Sequence, residues 1–464
     1  MAGSEAGVAR KSKIGYHSFT EEDVDSIRKQ LLTWYDANKR DLPWRRHVSI
    51  TDDPDIRAYS VWVSEIMLQQ TQVATVVAYY KKWMKKWPTV VDLSKATHEE
   101  VKEMWAGLGY YRRATRLWEG ACLVAKELEG KVPLNAKDLM KKLPGVGRYT
   151  AGAIASIAHG ERTGVLDGNV VRVLSRVRAV GAVVGKAAVD EHLWSLANGL
   201  VDPKRPGDFN QALMELGALV CAPKSPGCSC CPLNRHCLAR ELVASSGVGR
   251  SVAEPSTEPV EPHCIEDCHL CLPKKEPWIQ SLGVCNFPRK AAKKKPSQEK
   301  YFVAIVSRGL EVLIVQRPDK GLLAGMWEFV LIPYPEKKED EDDPDIDFSL
   351  LRKELTRRGI VTKSARDLIH LGQLTHLFSH THHTYSAYSV TIDAEEGDAL
   401  ALDDRPFLWV PSGELCSCAL STAMKKLYGL RSQQAGRKRK HGNIGQSVDK
   451  GKQKKLDSFF TAKS

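Results

Sequence analysis

No apolar run in the 464 residues approaches the roughly 18 that a membrane-crossing helix needs, which argues against a membrane protein. An apolar signal core is also missing from the N-terminus, so an export signal is not expected there. Without that oxidising context, the 12 cysteines, most of them crowded into two short segments, read better as metal ligands than as disulfides. Acidic residues are in deficit, 56 against 68 lysines and arginines, leaving a net charge of +12. Such a balance suits a polyanion, though an acidic membrane surface would also accept it. The apolar fraction of 42% is ordinary for a globular chain, and the length allows two or three domains.

What is present is organised around Leu143 to Leu174. Pro144, Gly145 and Gly147 form a turn too short for a phosphate-cradling P-loop, and the run from Arg148 to Ile154 has the small-residue character of a helix start. A glycine turn feeding a helix presents backbone N–H groups to an anion. Asp167 follows, between an apolar pair and Gly168-Asn169, with Arg172 and Arg176 beyond it. Taken alone, these are a surface turn and a capping aspartate. Upstream, Glu65 is set among Trp62, Ile66 and Met67, where burial would raise its pKa; the alternative is an amphipathic helix with Glu65 on its wet face. Trp105 to Arg113 joins glycines, paired tyrosines and arginines, a wedge-and-cation combination that can enter a base step and hold the flanking phosphates.

The order and spacing of turn and aspartate resemble the helix-hairpin-helix and catalytic aspartate of the endonuclease III superfamily of DNA glycosylases. The wording is similar to its adenine-specific, MutY-like branch. That resemblance implies a general acid at Glu65, within Ser-Glu-Ile-Met-Leu-Gln-Gln-Thr, and a charge-stabilising Asp167 oriented by Asn169. Tyr149 would line the same pocket, Gln70 and Tyr110 would fill the base stack, and Gly145, Gly147 and Arg148 would hold the backbone. Bifunctional relatives carry a lysine where Tyr149 stands, so a monofunctional enzyme is expected. The implied substrate is adenine mispaired with 8-oxoguanine in duplex DNA.

Cys221, Cys228, Cys231 and Cys237 are spaced Cys-x6-Cys-x2-Cys-x5-Cys, unlike ferredoxin runs or paired zinc knuckles. The spacing resembles the [4Fe-4S] loop of endonuclease III and MutY, with zinc as the physical alternative. Residues 241–300 have linker composition, and within them Cys264, Cys268 and Cys271 offer three thiols over eight residues. A tetrahedral Zn2+ needs a fourth ligand. His17, in an aromatic patch at the edge of the helical domain, is the expected one, with His263 and His269 as competitors and free thiols as the alternative to any metal.

The fold expected is therefore multidomain. It has a flexible N-terminus over 1–18, an all-α helix-hairpin-helix domain over 19–240, the linker over 241–300 and an α+β Nudix-like domain over 301–431. A disordered basic tail takes up 432–464. Strands are expected at Tyr301 to Val306, Glu311 to Gln316 and Tyr385 to Val390. In the helix around Arg352 to Gly359, threonine and arginine stand where Nudix hydrolases keep magnesium-binding glutamates, so binding without nucleotide hydrolysis is expected. Phe378, Ser379 and His380 resemble the loop with which MutY proteins recognise 8-oxoguanine. In the tail, Arg437 to Lys440 read as a nuclear-import signal, and an alternative start would give a mitochondrial form. Gln453, Leu456, Phe459 and Phe460 resemble the motif that docks into the proliferating-cell sliding clamp. The linker would be the place for a checkpoint clamp or an AP endonuclease, and the chain is expected to be a monomer. Two rivals stand beside this reading: a bifunctional glycosylase/lyase acting on damaged pyrimidines, and an idle lesion-binding adaptor.

Overall fold

Ten consecutive residues, Ala58 to Met67, are buried in the helix Pro54–Leu68, so this helix has no wet face and runs through the middle of its surroundings. Asp53 caps it by accepting from the N–H groups of Asp55 and Ile56, and Pro54 sits at its first turn, where a missing N–H costs nothing. The computed structural model describes residues 15–245, 268–273, 278–291, 296–318, 320–334, 344–360, 368–378, 381–393, 402, 404–415 and 417–441. The chain divides into two units, Met1–Lys294 and Lys295–Ser464.

The first unit is built on two large apolar cores, beside a smaller cluster of Ala179, Ala239, Val284 and Phe287. One gathers Tyr59, Trp62, Tyr80, Trp83 and Trp105, with Trp83 and Trp105 meeting edge to face at 5.6 Å. The other is built from the helices Glu21–Asn38, Gly168–Val177, Ala187–Leu200 and Pro206–Leu219. Helix Arg148–His159 separates them, giving Ala151, Ile154 and Ala155 to the first and Ala153 to the second. Its small side chains permit close approach: a Cβ on Gly152 would lie 2.8 Å from the Gly164 carbonyl oxygen. The seam between the cores is where the pocket described below opens.

Residues 268–273 and 278–291, expected as linker, instead pack on this helical unit. The Leu270 carbonyl accepts from the N–H groups of Gly181 and Ala182. β1 (Val183–Val184) pairs in parallel with β2 (Arg289–Lys290). Composition averaged over sixty residues hides the reason, which is that Leu270, Val284 and Phe287 are apolar and buried.

Among the described residues, the second unit forms a seven-stranded mixed sheet. Its strands are β3 (Ser297–Arg308), β4 (Glu311–Gln316), β5 (Trp327–Glu328), β6 (Val330–Pro333), β7 (Leu368–Leu377), β8 (Thr381–Thr391) and β9 (Phe407–Pro411). The order is β5-β4-β3-β8-β7, with β6 also on β3 and β9 on β4. β3 alternates its faces: Phe302, Ala304 and Val306 join Leu351 and Leu355 of the helix Pro344–Arg357, whereas Val303 and Ile305 join Ala423, Met424 and Leu427 of the helix Thr422–His441. β3 begins four residues before the expected 301, because Ser297 to Lys300 are held by parallel pairing with Thr381 to Thr384 rather than by burial. The last helix likewise continues past 432, where a disordered tail was expected to begin.

Candidate active site

A cavity of about 700 Å3 opens between the two cores of the helical unit, large enough for an extruded nucleoside. Glu65, Gln70, Tyr149, Asp167 and Asn169 all line it. Glu65 is 6% exposed. Burial pushes its carboxyl up to about 7, helped by the nearby Asp167 charge and opposed by a 2.6 Å hydrogen bond donated by the Tyr149 hydroxyl. Burial likewise keeps Tyr149 protonated, so its hydroxyl remains a donor.

Asp167 is the N-cap of helix Gly168–Val177, so the capping reading and the pocket reading describe one side chain. Its Oδ1 accepts from the backbone N–H groups of Asn169 at 2.9 Å and Val170 at 2.7 Å, and its Oδ2 from the Asn169 side-chain amide at 2.8 Å. Burial raises its pKa; these donors and the Arg172 cation pull the other way. Asn169 is in turn held by Arg172, whose guanidinium also binds the carbonyls of Gly217 and Cys221. Arg176, 2% exposed, binds the carbonyls of Ala222, Pro223 and Phe287. The two arginines that looked like a basic helix beside Asp167 therefore face the cysteine loop, because the exposed ends of that irregular backbone need donors.

Sequence reasoning gave no role to a second buried carboxylate in the cavity wall. Glu215, 1% exposed, takes hydrogen bonds from the Arg40 backbone N–H and guanidinium, each at 2.8 Å, and from Arg45 at 3.0 Å. Burial alone would raise its pKa, but the two arginines overcome that and hold it at about 2. Arg45 also binds Gln211. The signal available was the one that marked Glu65, a lone carboxylate inside an apolar helical run, Ala212 to Leu216. One wall thus carries a carboxyl that keeps its proton near neutrality and another a carboxylate that stays charged.

Gln70 and Tyr110 share an uncommon backbone: both are non-glycine residues at positive φ, +54° and +50°. Arg113 ties their loops together. Its Nη1 donates to the carbonyls of Ile66, Met67 and Gln69, and its Nη2 to Thr71 Oγ1 and the carbonyls of Leu108 and Gly109. Its guanidinium also lies over the rings of Trp105 and Tyr110. Burial brings its pKa down to about 10. Arg113 was expected to hold phosphates; it turns inward because the last carbonyls of helix Pro54–Leu68 have no helical donors of their own. In the hairpin, Gly145 adopts φ +77° and Gly147 caps the following helix. Arg148, the first residue of that helix, lies over the Trp194 ring at 4.1 Å and pairs with Glu191.

The thiols of Cys221, Cys228, Cys231 and Cys237 converge on a small cavity walled by Val173, Val177, Leu216 and Val220. Burial pushes Cys231 up to about 12 and Cys237 up to about 11. Cys230 is exposed and donates to the Gly227 carbonyl. Among the described residues, three metal-ligating groups lie within 4.8 Å of one another at His17, Cys268 and Cys271. His17 is 5% exposed, with Nδ1 2.8 Å from the Arg178 carbonyl and Nε2 3.1 Å from Cys271 Sγ. An Nδ1–H donated to that carbonyl leaves Nε2 as a lone pair aimed at the thiols, the arrangement usual for a metal-binding histidine. His269 is not part of this group. Cys264 and His263 lie outside the described residues.

In the second unit Phe378 directly follows β7, and Ser379 and His380 lie outside the described residues, as do Gln453, Leu456, Phe459 and Phe460. In the helix Pro344–Arg357, Glu354 is engaged by Arg357 and Arg358. Glu328 is held between Arg317 and Arg405.

Residues 63–198 match the HhH-GPD superfamily of base excision DNA repair proteins, and residues 301–429 match the NUDIX domain. The chain is 46% identical to the adenine DNA glycosylase of Homo sapiens, covering 99% of this chain and 86% of the relative. To that of Rattus norvegicus it is 48% identical, over 89% of this chain and 79% of the relative. The adenine DNA glycosylase of Schizosaccharomyces pombe is 36% identical, over 87% and 88%.

Proposed function

The chain belongs to the adenine DNA glycosylases, base excision repair enzymes that hydrolyse the N-glycosidic bond of adenine, and from that premise we propose that its substrate is adenine opposite 8-oxoguanine and its product an abasic site. The observation that carries the mechanism is the pairing of Glu65 and Asp167 across one cavity, with Tyr149 between the chemistry and the core.

A base inside a duplex is out of reach of any side chain, so the nucleotide is first rotated into the cavity. Adenine leaves poorly as an anion. Glu65, holding a proton near neutral pH while Tyr149 occupies its Oε2, delivers that proton to a ring nitrogen as the bond lengthens. Positive charge grows on the sugar, and ionised Asp167 stabilises it or captures it briefly as an ester before water completes the hydrolysis. Asn169, anchored by Arg172, fixes the carboxylate's orientation. Glu215, its oxygens filled by Arg40 and Arg45, fixes those two arginines along the same wall. No amine stands at Tyr149, so no Schiff base forms there and the strand is left uncut.

Four cysteines around one cavity fit a [4Fe-4S] cluster. A single zinc ion draws its thiolates much closer together, and these four form no group as tight as the one at His17. The cluster would serve as a fold-fixing centre behind Asp167, reached through Cys221, Arg172 and Asn169. His17, Cys268 and Cys271 fit three of the four positions of Zn2+, and Cys264, three thiols being crowded into the sequence there, is our choice for the remaining one. Phe378, Ser379 and His380 read the 8-oxoguanine, and the second unit acts without nucleotide hydrolysis. The tail motif at Gln453, Leu456, Phe459 and Phe460 docks on the sliding clamp, and Arg437 to Lys440 direct the chain to the nucleus.

The test is single-turnover adenine release from duplexes holding one A·8-oxoguanine or one A·G pair, with wild type beside Asp167→Asn, then strand cleavage with and without hot alkali. Release by wild type alone, faster from A·8-oxoguanine, with nicks only after alkali, is expected. Nicks without alkali would replace the monofunctional reading with a lyase, and equal rates on the two pairs would remove the 8-oxoguanine assignment.

A further inference from the structure

Where the β7–β8 hairpin carries Phe378, the chain buries a histidine beside a carboxylate. His383 is 5% exposed and lies across from Glu299 on β3 and from His376 on β7. Its Nε2 is 3.2 Å from Glu299 Oε2, and its Nδ1 is 3.0 Å from the Tyr385 hydroxyl. Burial keeps the ring neutral against the pull of Glu299, with Arg317 and His376 acting in the same direction as burial. Because a carboxylate can only accept, the network assigns the ring proton to Nε2, and Nδ1 accepts from Tyr385. Glu299 itself takes two hydrogen bonds, from the Tyr301 hydroxyl at 2.5 Å and from Thr381 Oγ1 at 3.1 Å. The bond to Tyr385 on one ring nitrogen and the Glu299 carboxylate beside the other together orient the imidazole.

The Phe378 ring rests on that plane. It meets His383 edge to face at 4.8 Å and His376 at 4.5 Å, and its N–H donates to the Thr381 carbonyl at 2.9 Å. An aliphatic side chain at 383 would fill the same space without orienting anything, whereas polar partners on both ring nitrogens favour one geometry. We propose that Glu299 and His383 are positioning residues that hold the Phe378 ring in place, and so set how strictly the base opposite the adenine is read. This rests on the reading of Phe378 as a residue that meets that base.

The experiment compares the full chain with Glu299→Gln, His383→Leu and Phe378→Ala. Glu299 is half-exposed, so its variant does not endanger the fold, and His383→Leu keeps the bulk while deleting the Tyr385 bond and the Glu299 contact. Adenine release and duplex affinity are measured on A·8-oxoguanine and A·G, with thermal unfolding alongside. Both brace variants should lose roughly five-fold of the preference for A·8-oxoguanine, in affinity rather than in the rate of the bound complex, while release from A·G stays within about two-fold. Preference retained in both, while Phe378→Ala loses it, overturns the brace alone. Preference retained in Phe378→Ala overturns the reading of that residue, and the brace with it.

Discussion

Glu65 and Glu215 are the same residue type in the wall of one cavity, yet burial drives the first up to about 7 while two arginines hold the second at about 2. Their pH signatures are therefore opposite. Adenine release needs the proton on Glu65, so the single-turnover rate should fall as pH rises through about 7, and Glu65→Gln should abolish the dependence along with most of the rate. For stability the signs follow from proton binding. Folded Glu65 binds its proton more tightly than the ordinary value of 4.5, so its contribution is present below that value and is lost as pH climbs towards 7. Folded Glu215 binds its proton less tightly, so its contribution is present above 4.5 and is lost as pH falls towards 2. Glu215→Gln should flatten the acid limb of a denaturation profile; an unchanged acid limb would mean that the Arg40 and Arg45 bonds do not act on the folded state as described.

At the scale of elements, the parts legible in the sequence were those whose signals are local. The hairpin from Leu143 to Arg148 announces itself by Pro144 and two glycines, and its following helix starts where that turn predicts. Asp167 was legible as a cap, Glu65 as a carboxylate in an apolar run, and β3 as an apolar strand-forming run. Arg113, Arg172 and Glu215 were not, because what they do is set by backbone carbonyls or cations distant in the chain. Arg113 alone bridges the ends of two elements, from Ile66 to Thr71 and from Leu108 to Gly109. With it removed, the strained Gln70 and Tyr110 lose what holds them at positive φ. Arg113→Lys keeps the charge but cannot fork between the two loops. It should weaken binding of the mispaired duplex by roughly ten-fold or more, with adenine release from the bound complex changed less. Equal losses in both would instead place Arg113 in the chemical step. Gly145→Ala tests the hairpin in the same spirit: its φ of +77° and the Arg116 Cδ 2.8 Å from the added Cβ oppose it together, so DNA affinity should fall while the Glu65 pH profile is kept.

Across the helical unit, one buried arginine links the two groups of cysteines. Arg176 lies between them, bound to the cysteine loop through Ala222 and Pro223 and to the returning strap through Phe287. The strap, residues 268–273 and 278–291, adds its Leu270, Val284 and Phe287 to the unit and is pinned at its start by His17, Cys268 and Cys271. A few buried side chains and a two-residue strand pair are a weak attachment, since fewer than three strands rarely hold alone. A bound ion would therefore supply much of the strap's stability, as metal binding does wherever the ligands come together only on folding. His17→Ala should accordingly lower bound zinc, and limited proteolysis should then cut near residues 268–291 at a protease level that spares wild type. The effect on Asp167 should be smaller, because its route to the cysteine loop runs through Asn169, Arg172 and Cys221 and not through His17. A strap that resists protease equally in both proteins, at equal zinc content, would show that His17 packs against Cys271 without ligating. If His17→Ala instead destroyed adenine release on prefolded, iron-loaded enzyme, the two sites would be coupled more tightly than the bonds through Arg176 imply.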